Sequence, residues 1–497
     1  MSPDGDVPSP SRRTLLASAA VSAASLACRP GRTSRSAPRR PNVVLLLADQ
    51  WRGSATGYAG DPNAHTPNLD ALVRQSVAFR NAVSVCPVCT PYRAALLTGR
   101  YPTTTGMFLN DLYLPPSEVC LSEVLTREGY ATAYIGKWHL DGHGRDSFIP
   151  PERRHGWHYW KAAECDHNYL RSHYYAGASA EKRYWRGYDA YAQTDDAECY
   201  LRSRAGDEAP FALMVSFGPP HFPHFPEPPS LEGRRQPGSI LLPPNVPEAM
   251  RPVAAREAAG YYAHCEAIDA CVGRLVRTLR DLGLEEDTIL VFTSDHGEMM
   301  GSHGCAPTTK QVPWRESVGV PLIVRYPRAQ RARPRMVTTP ITTPDLLPTL
   351  LRLARIDVPT SAEGEDLSRL VRGGEEVHGR AVLYMSVSPF VADPAFRQEY
   401  RAIRTERHTY VESLDGPWLL YDDVADPYQL RNLVHERRSV PLRRRLARRL
   451  REELHRIRDN FLPRTEYLRR FGYQVTSAGH IAYSPGSPVQ TPSRRSP

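Results

Sequence analysis

The stretch NVVLLLADQ, residues 42–50, determines the fold class that we expect for this chain. Its six consecutive apolar residues end in Asp49 and Gln50, a pattern typical of a parallel strand buried on both faces. Similar short apolar segments recur between helical stretches as far as about residue 355. This alternation predicts an α/β fold with a large, mostly parallel sheet flanked by helices. The further predicted strands are YATAYIGKWHL (130–140), FALMVSFGPPH (211–221), TILVFTSDHGE (288–298) and VPLIVRYP (320–327).

The alternation of strands and helices ends after the run Arg372-Gly373-Gly374. Three segments that follow, AVLYMSV, YRAIRTERHTYV and WLLYDD, are typical of short antiparallel strands, and an arginine-rich helix comes after them. We therefore divide the chain into four parts. They are a signal peptide and linker (1–40), an α/β catalytic domain (41–375), a smaller C-terminal α+β subdomain (376–473) and a flexible tail (474–497).

Basic residues dominate the charge of the chain, which carries a formal net charge of +9 over 497 residues. Lysine occurs only at positions 137, 161, 182 and 310, so each lysine invites a question about its role. The positive balance could suit anionic substrates. Much of it lies in RSVPLRRRLARRLREELHRIR (438–458), which has the leucine spacing of a helix with one solvated face. We therefore predict no nucleic-acid partner.

The N-terminal residues resemble an export signal. Arg12-Arg13 precedes a short, weakly apolar stretch of Ala, Ser, Leu and Val that is too short to span a membrane. This arrangement resembles a twin-arginine signal, which predicts an exported protein located in the periplasm, outside the cell or at its surface. Cys28, at the end of this stretch, could be a lipidation site.

Metal-type ligands follow two of the predicted strands. The strand at residues 42–50 ends in Asp49 and Gln50, and the strand at residues 288–298 ends in Asp295 and His296. In open α/β sheets, ligands bind at the carboxyl ends of the strands. A carboxylate with a neighbouring amide or imidazole from each of two strands suits a divalent cation.

A second candidate site is VCPVCTPYRAALLTGR, residues 85–100. Pro91 suits the first turn of a helix, which places Cys89 at the helix start and Arg93 four residues on, along the same face. The free N–H groups of a helix start favour negative charge. An anion at Cys89 would therefore meet both the helix end and Arg93. The alternative is a disulfide between Cys86 and Cys89, which an exported protein permits.

Further basic side chains occur at strand ends. In YIGKWHL, Lys137 and His139 are two residues apart, so in a strand they would face the same side. His221 ends the segment FGPPH, and Lys310 follows the Asp295-His296 pair in GSHGCAPTTK.

Together, these motifs resemble a known family. Cys-x-Pro-x-Arg followed by AALLTGR, with GKWHL, PPH and SDHGE…GSHG in this order, is similar to the type I sulfatases of the alkaline phosphatase superfamily. The resemblance extends from Pro41 to about Leu433 and implies the alkaline phosphatase-like fold and the hydrolysis of a sulfate ester.

The resemblance also implies the parts of the site. The thiol of Cys89 would be oxidised to formylglycine by a formylglycine-generating enzyme, because Cys89 and not Cys86 begins the motif. A Ca²⁺ ion, with Mg²⁺ or Mn²⁺ as alternatives, would be held by Asp49, Gln50, residue 89, Asp295 and His296. One hydroxyl of the formylglycine hydrate would attack sulfur while His221 or Lys310 protonates the leaving alcohol, and His139 would then take the proton of the other hydroxyl. The implied catalytic residues are Cys89, Arg93, Lys137, His139, His221 and Lys310.

The sequence leaves the substrate open. We expect a sulfated glycan or a smaller sulfated molecule, with contacts from His167, Asn168 and His173 in the polar segment ECDHNYLRSHYYAG. One alternative function is a phosphonate or phosphate ester hydrolase of the same superfamily. Another is a catalytically silent carbohydrate-binding protein in which Cys89 stays a thiol. No feature indicates the oligomeric state.

Overall fold

A large mixed sheet contains all five strands that the sequence predicts before residue 330. The computed structural model describes residues 39–329 and 334–481. In the described part the strands are β1 (Asn42–Asp49), β2 (Val77–Phe79), β3 (Ala82–Val83), β4 (Ala131–Lys137), β5 (Tyr159–Ala163), β6 (His173–Ala176), β7 (Arg183–Tyr184), β8 (Phe211–Pro220), β9 (Thr288–Ser294), β10 (Leu322–Arg325), β11 (Arg335–Val337), β12 (Ile341–Thr342), β13 (Val382–Ser386), β14 (Tyr400–Arg404), β15 (His408–Ser413) and β16 (Gly416–Asp422).

The order of strands in the large sheet is β11-β2-β10-β9-β1-β8-β4-β5-β6-β7. Strands β9, β1, β8, β4 and β5 run parallel, and β1 lies in the middle with Leu45 opposite Met214 on one side and Val291 on the other. Strand β10 is antiparallel to β9, and β2 is antiparallel to β10. The predicted mostly parallel sheet is confirmed.

Helices cover both faces of the sheet. Within the described residues they are α1 (Pro67–Val73), α2 (Cys89–Thr98), α3 (Pro102–Thr105), α4 (Leu121–Arg127), α5 (Asp189–Arg204), α6 (Arg251–Asp281), α7 (Arg315–Val318), α8 (Leu346–Leu353), α9 (Ser368–Val371), α10 (Val440–Arg456) and α11 (Arg464–Phe471). Residues 66–79 do not form one continuous helix, because α1 ends at Val73 and residues 77–79 form strand β2.

The apolar run of β1 explains why the strand is central. Alternate residues face opposite sides of a sheet, so Val43, Leu45 and Leu47 lie in one core with α2 and α8. Val44 and Leu46 lie in the second core with α5 and α6. All of these side chains are buried, and each contributes about 1.5–3 kcal/mol by leaving water. This burial holds the carboxyl end of β1 in a fixed position.

The C-terminal residues form a four-stranded antiparallel sheet in the order β13-β14-β15-β16. Helix α10 packs on it through the buried leucines Leu446, Leu450 and Leu454. The sheet joins the catalytic core directly, since the Met385 N–H donates to the carbonyl of Val85 at 2.8 Å. The tail predicted to begin at residue 474 differs in its first residues, because Ile481 is buried in this core.

None of the helices in residues 39–329 and 334–481 combines the length and apolarity needed to cross a membrane. The predicted twin-arginine signal and the lipidation site at Cys28 lie outside the described residues.

Candidate active site

The two predicted ligand pairs meet at the carboxyl edge of the sheet. Asp49 ends β1, and Asp295 and His296 directly follow β9, the neighbouring strand. Cys89 is the first residue of α2, whose start faces this edge. Ligand atoms of these four buried residues all lie within 4.8 Å of one another.

Distances within this group suit a shared cation better than direct hydrogen bonds. The Nε2 atom of His296 lies 3.7 Å from Oδ1 of Asp49 and 3.6 Å from Oδ1 of Asp295. Both separations exceed the usual 2.7–3.2 Å of a protein hydrogen bond and match neighbouring ligands on one metal ion with bonds of about 2.0–2.6 Å. The residues present therefore fit a divalent cation.

Gln50 turns its amide oxygen toward the same space. Its backbone has a left-handed φ of 64°, and its N–H donates to Oδ1 of Asp295 at 2.9 Å. The side-chain Nε2 donates to the buried carboxylate of Glu298, which leaves Oε1 to accept from Nζ of Lys310 at 3.3 Å. The sequence analysis missed Glu298, although it lies within the SDHGE motif.

Three cationic side chains surround residue 89. Nζ of Lys137 lies 2.6 Å from Oδ2 of Asp49 and 3.7 Å from Sγ of Cys89. Nζ of Lys310 lies 3.6 Å from the same sulfur. Arg93 reaches back along α2 and donates from Nη2 to Oδ2 of Asp49 at 3.1 Å and of Asp295 at 3.4 Å. Two of the four lysines in the chain therefore lie at this site.

The electrostatics of the site favour an anionic group at position 89. Burial alone would raise the pKa of the Cys89 thiol, but Lys137, Lys310 and His296 hold it well below its ordinary value. Burial and the Cys89 sulfur act against ionisation of Asp49, and Lys137 nevertheless holds its pKa below the usual range. The site can therefore stabilise negative charge that develops on a bound group.

Lys310 and His221 form a hydrogen-bonded pair with a defined proton position. Nδ1 of His221 donates to the carbonyl of Phe222 at 2.6 Å, which leaves Nε2 as an acceptor for Nζ of Lys310 at 2.7 Å. Burial and the Lys310 charge keep the pKa of His221 well below its ordinary value. The proton of this pair therefore belongs to Lys310.

His139 is held by a carboxylate that the sequence analysis did not identify. Its Nε2 donates to Oδ1 of Asp111 at 2.8 Å, and Nδ1 is buried without a hydrogen-bond partner. Burial opposes protonation, but contacts with Cys165, Asp111 and Cys89 raise the pKa of His139 to about 9. Strand β4 ends at Lys137 and His139 has a φ of 58°, so a turn and not strand alternation brings it to the site.

The three predicted substrate residues lie in different surroundings. His167 stacks on the ring of His221 at 4.3 Å and therefore borders the site. Asn168 is exposed. His173 is buried, and its Nδ1 is already engaged in a hydrogen bond of 2.6 Å with Oδ2 of Asp166.

Cys86 and Cys89 do not form a disulfide. Both are free and buried, as are most of the other cysteines in the described residues. Burial raises the pKa of the Cys86 thiol to about 12. The two neighbouring cysteines therefore differ sharply, and only Cys89 faces the cationic groups.

Comparison with known proteins agrees with this geometry. Residues 41–356 match the model of the sulfatase family, and residues 301–456 match the C-terminal region of N-sulphoglucosamine sulphohydrolase. The chain belongs to the sulfatase family. Sulfatases are sulfuric ester hydrolases, so the protein is an enzyme, and the predicted membership of the alkaline phosphatase superfamily is confirmed.

Individual sulfatases align over most of the chain. An ulvan-active sulfatase of Formosa agariphila is 48% identical over 436 residues, which cover 88% of this chain and 85% of the relative. An endo-4-O-sulfatase of Bacteroides thetaiotaomicron is 30% identical over 79% of this chain and 88% of its own length. The crystal structure of yidJ from Bacteroides fragilis superposes with a TM-score of 0.77 at 29% identity, covering 88% of this chain and 99% of that one.

Proposed function

We propose that this sulfatase hydrolyses a sulfate ester of a sulfated glycan, with residue 89 converted to formylglycine. One observation carries the proposal: the side chain of Cys89 lies among the metal-type ligands, with the ammonium groups of Lys137 and Lys310 at 3.7 and 3.6 Å from its sulfur and His139 in contact with it. A nucleophile, a cation site and two proton-transfer groups are thereby in reach of a single atom.

Residue 89 must supply a nucleophile that can be regenerated. A formylglycine hydrate supplies one hydroxyl for attack and a second hydroxyl for release of sulfate, whereas a thiolate has no second hydroxyl. The start of α2 supports this role, because Thr90 N–H is fixed by Oδ1 of Asn110 at 3.0 Å and Thr90 Oγ1 by the carbonyl of His139 at 2.9 Å. The helix start therefore cannot shift away from His139.

Asp49, Gln50, Asp295 and His296 are the residues that would hold the cation, together with residue 89. Two carboxylates and an amide oxygen favour Ca²⁺, with Mg²⁺ or Mn²⁺ as alternatives, and the imidazole is the ligand that suits these hard cations least. A divalent cation there supplies positive charge next to the sulfuryl oxygens. Arg93 donates hydrogen bonds to the carboxylates of Asp49 and Asp295 and so balances part of their negative charge.

Lys310 is the general acid that the geometry favours. It donates the hydrogen bond of the Lys310–His221 pair, and its Nζ lies 3.6 Å from Sγ of Cys89. Release of an alkoxide is unfavourable, so a proton delivered to the leaving oxygen lowers the barrier. His221 orients the Lys310 ammonium through its Nε2 atom.

His139 is placed to act as the general base. Asp111 accepts the Nε2–H and Cys89 is among the contacts of the ring, so the neutral form of His139, which has a lone pair on Nδ1, would take the hydroxyl proton. Arg145 in turn holds Asp111 with two hydrogen bonds of 3.0 and 2.9 Å. This chain of contacts fixes the tautomer that removal of a hydroxyl proton requires.

An ulvan-type sulfated polysaccharide is the substrate class that we favour, because the ulvan-active relative is 48% identical over 88% of this chain. His167 stacks on the ring of His221 beside the site, and this neighbourhood supports a contact between His167 and the sugar. The lysine and histidine of GKWHL support sulfate as the ester over phosphonate.

Two measurements on one preparation test the proposal. Peptide mass spectrometry of protein from the native host should find the aldehyde at position 89, and ion chromatography should detect sulfate released from ulvan. A phosphonate monoester serves as the matched alternative substrate. Active protein with an unmodified thiol, or preferential cleavage of the phosphonate, would refute the proposal.

Maturation and export complete the proposal. A formylglycine-generating enzyme would be the partner that modifies Cys89, and the Arg12-Arg13 signal would direct the folded protein out of the cytoplasm. We expect Arg12→Lys combined with Arg13→Lys to retain the protein in the cytoplasmic fraction. Unchanged export of this variant would exclude the twin-arginine route, and metabolic labelling with palmitate would test lipidation at Cys28.

A further inference from the structure

A second charged cavity lies at the same edge of the large sheet as the active site. It has a volume of about 460 Å³ and is lined in part by Arg52, Arg80 and Arg315. A smaller cavity of about 110 Å³ adjoins it and shares Arg80 and Arg315. The larger volume falls within the usual range of about 300–1,000 Å³ for ligand pockets.

Strand directions place this cavity near the metal ligands. Arg80 directly follows β2, which runs parallel to β1 because both β2/β10 and β10/β9 are antiparallel pairs. Arg52 is three residues beyond Asp49, so the two Cα atoms are at most about 11 Å apart. Glu316 is part of the cavity wall, and its backbone carbonyl accepts a hydrogen bond of 2.9 Å from the N–H of Glu298, two residues after His296.

Two arginines of this cavity, Arg80 and Arg315, form no ion pair within the described residues, whereas Arg52 lies 4.0 Å from Asp61. Arg80 is exposed. Arg315 donates from Nη1 only to the carbonyl of Pro427, at 3.3 Å. Burial and the charge of Arg404 lower the pKa of Arg315, with a smaller contribution from Arg80, although Glu316 and Asp423 act in the opposite sense. A bound anion would relieve this repulsion.

The acidic groups in the wall have partners of their own, apart from Oε2 of Glu316, which is buried without a hydrogen bond. Asp61 accepts from the hydroxyl of Tyr262 at 2.5 Å and lies 4.0 Å from Arg52. Glu316 accepts from Nδ2 of Asn245 at 2.6 Å. The opposite wall is apolar and open, with Leu241 65% and Tyr428 44% exposed. Such flat surfaces suit the faces of sugar rings.

We propose that this arginine-lined cavity is an anion subsite that binds a sulfate or carboxylate group on another residue of the glycan chain whose ester the active site cleaves. The inference rests on the proposed function, because it requires a glycan with more than one negative charge. Arg80 and Arg315 are the two residues that contact the anion, and both lie outside the catalytic machinery.

Substrates of different length test the subsite. We expect the double variant R80A/R315A to raise the KM for a sulfated hexasaccharide at least ten-fold, with kcat within two-fold and the kcat/KM for the matching sulfated monosaccharide unchanged. The exposed residue Arg80 can also be changed alone, so the test survives if R315A impairs folding. The charge-matched control is R444A/R448A on helix α10, which should behave like the wild type.

Binding measured without turnover separates this inference from the proposed function. In the K310A background, calorimetry should show at least ten-fold weaker binding of the hexasaccharide when Arg80 and Arg315 are also replaced. Hexasaccharides with either sulfate or carboxylate on the distal residue identify the anion. Equal effects on monosaccharide and hexasaccharide, or none on either, would overturn the subsite. A different outcome would separate the two proposals. If the enzyme with Lys310 intact released no sulfate, while replacement of Arg80 and Arg315 still abolished hexasaccharide binding, the subsite would be supported and the proposed function refuted.

Discussion

Two groups of side chains within the described residues gather metal-type ligand atoms within 4.8 Å of one another. One is the catalytic cluster around Cys89. The other, which we call the capping cluster, consists of Cys120, Glu123 and His155. Residue types alone do not distinguish them, because both contain a cysteine, a carboxylate and a histidine. Their surroundings do.

Residues of the capping cluster make hydrogen bonds at the start of helix α4 and to the carbonyl of Leu114. Cys120 is the N-cap of α4, and Oε2 of Glu123 accepts the Cys120 N–H at 2.8 Å. Nε2 of His155 lies 3.3 Å from the carbonyl of Leu114, and Nδ1 lies 3.7 Å from Oε1 of Glu123. These contacts assign the cluster a structural role at the start of a helix.

The pKa values of the two cysteine thiols shift in opposite directions. Burial raises the pKa of Cys120, whereas the lysines around Cys89 lower the pKa of its thiol despite complete burial. A ligand cluster therefore marks a reactive site when several cationic side chains surround it at the end of a parallel strand. The predictions below test this distinction, beginning with the largest expected effect.

Replacement of the two cysteines should separate the clusters most clearly. We expect Cys89→Ala to lower kcat/KM by at least about four orders of magnitude, as loss of a nucleophile does in other hydrolases. Cys120→Ala should leave kcat/KM within about two-fold, because it touches no reacting atom. Steady-state kinetics on a sulfated glycan measures both. Comparable losses in the two variants would contradict the distinction.

Metal content should follow only the catalytic cluster. Elemental analysis of the purified enzyme should find one divalent ion per chain, and Asp295→Asn should lose both the ion and at least about 10³-fold in activity. Glu123→Gln should keep both. A second ion that disappears in Glu123→Gln would show that the capping cluster also binds metal.

The lysines offer a matched pair. Lys310→Ala should lower kcat about 10²–10³-fold, which is the usual cost of one transition-state contact. Lys161 pairs with Asp196 away from residue 89, and Lys161→Ala should keep nearly normal turnover. Circular dichroism of both variants controls for folding. Near-normal hydrolysis of the glycan sulfate, whose alkoxide leaving group needs a proton, by Lys310→Ala would exclude Lys310 as the general acid.

The capping cluster should affect stability with a distinct pH dependence. Burial opposes it, but Cys120 and Glu123 raise the pKa of His155 from 6.5 to about 10. Because the folded-state pKa is the higher one, this contribution is complete below pH 6.5 and is lost as the pH rises through 10. We expect His155→Gln to lower the free energy of unfolding by about 1–3 kcal/mol at pH 6. A urea-unfolding difference that stays constant to pH 10.5 would contradict the ion pair.

Much of the candidate site was predictable because strand ends and helix starts are local features. The apolar run of β1 and the proline in the first turn of α2 determine where Asp49, Cys89 and Arg93 lie. Glu298 and Asp111 were not predicted, because a carboxylate that holds a ligand or a base carries no pattern of its own in the sequence. Likewise, Arg80 and Arg315 are 235 positions apart, and only the fold places them in one cavity.

By itself, the sequence determined the parallel α/β sheet, the position of residue 89 at a helix start and the ligand pairs at two strand ends. These follow from side-chain periodicity and from backbone geometry over a few residues. Only the tertiary structure decided that Lys310 carries the proton it shares with His221, that Asp111 orients His139, and that Cys120 differs from Cys89. Such properties depend on contacts between segments that are distant in the sequence, because these contacts decide which charged groups surround each buried side chain.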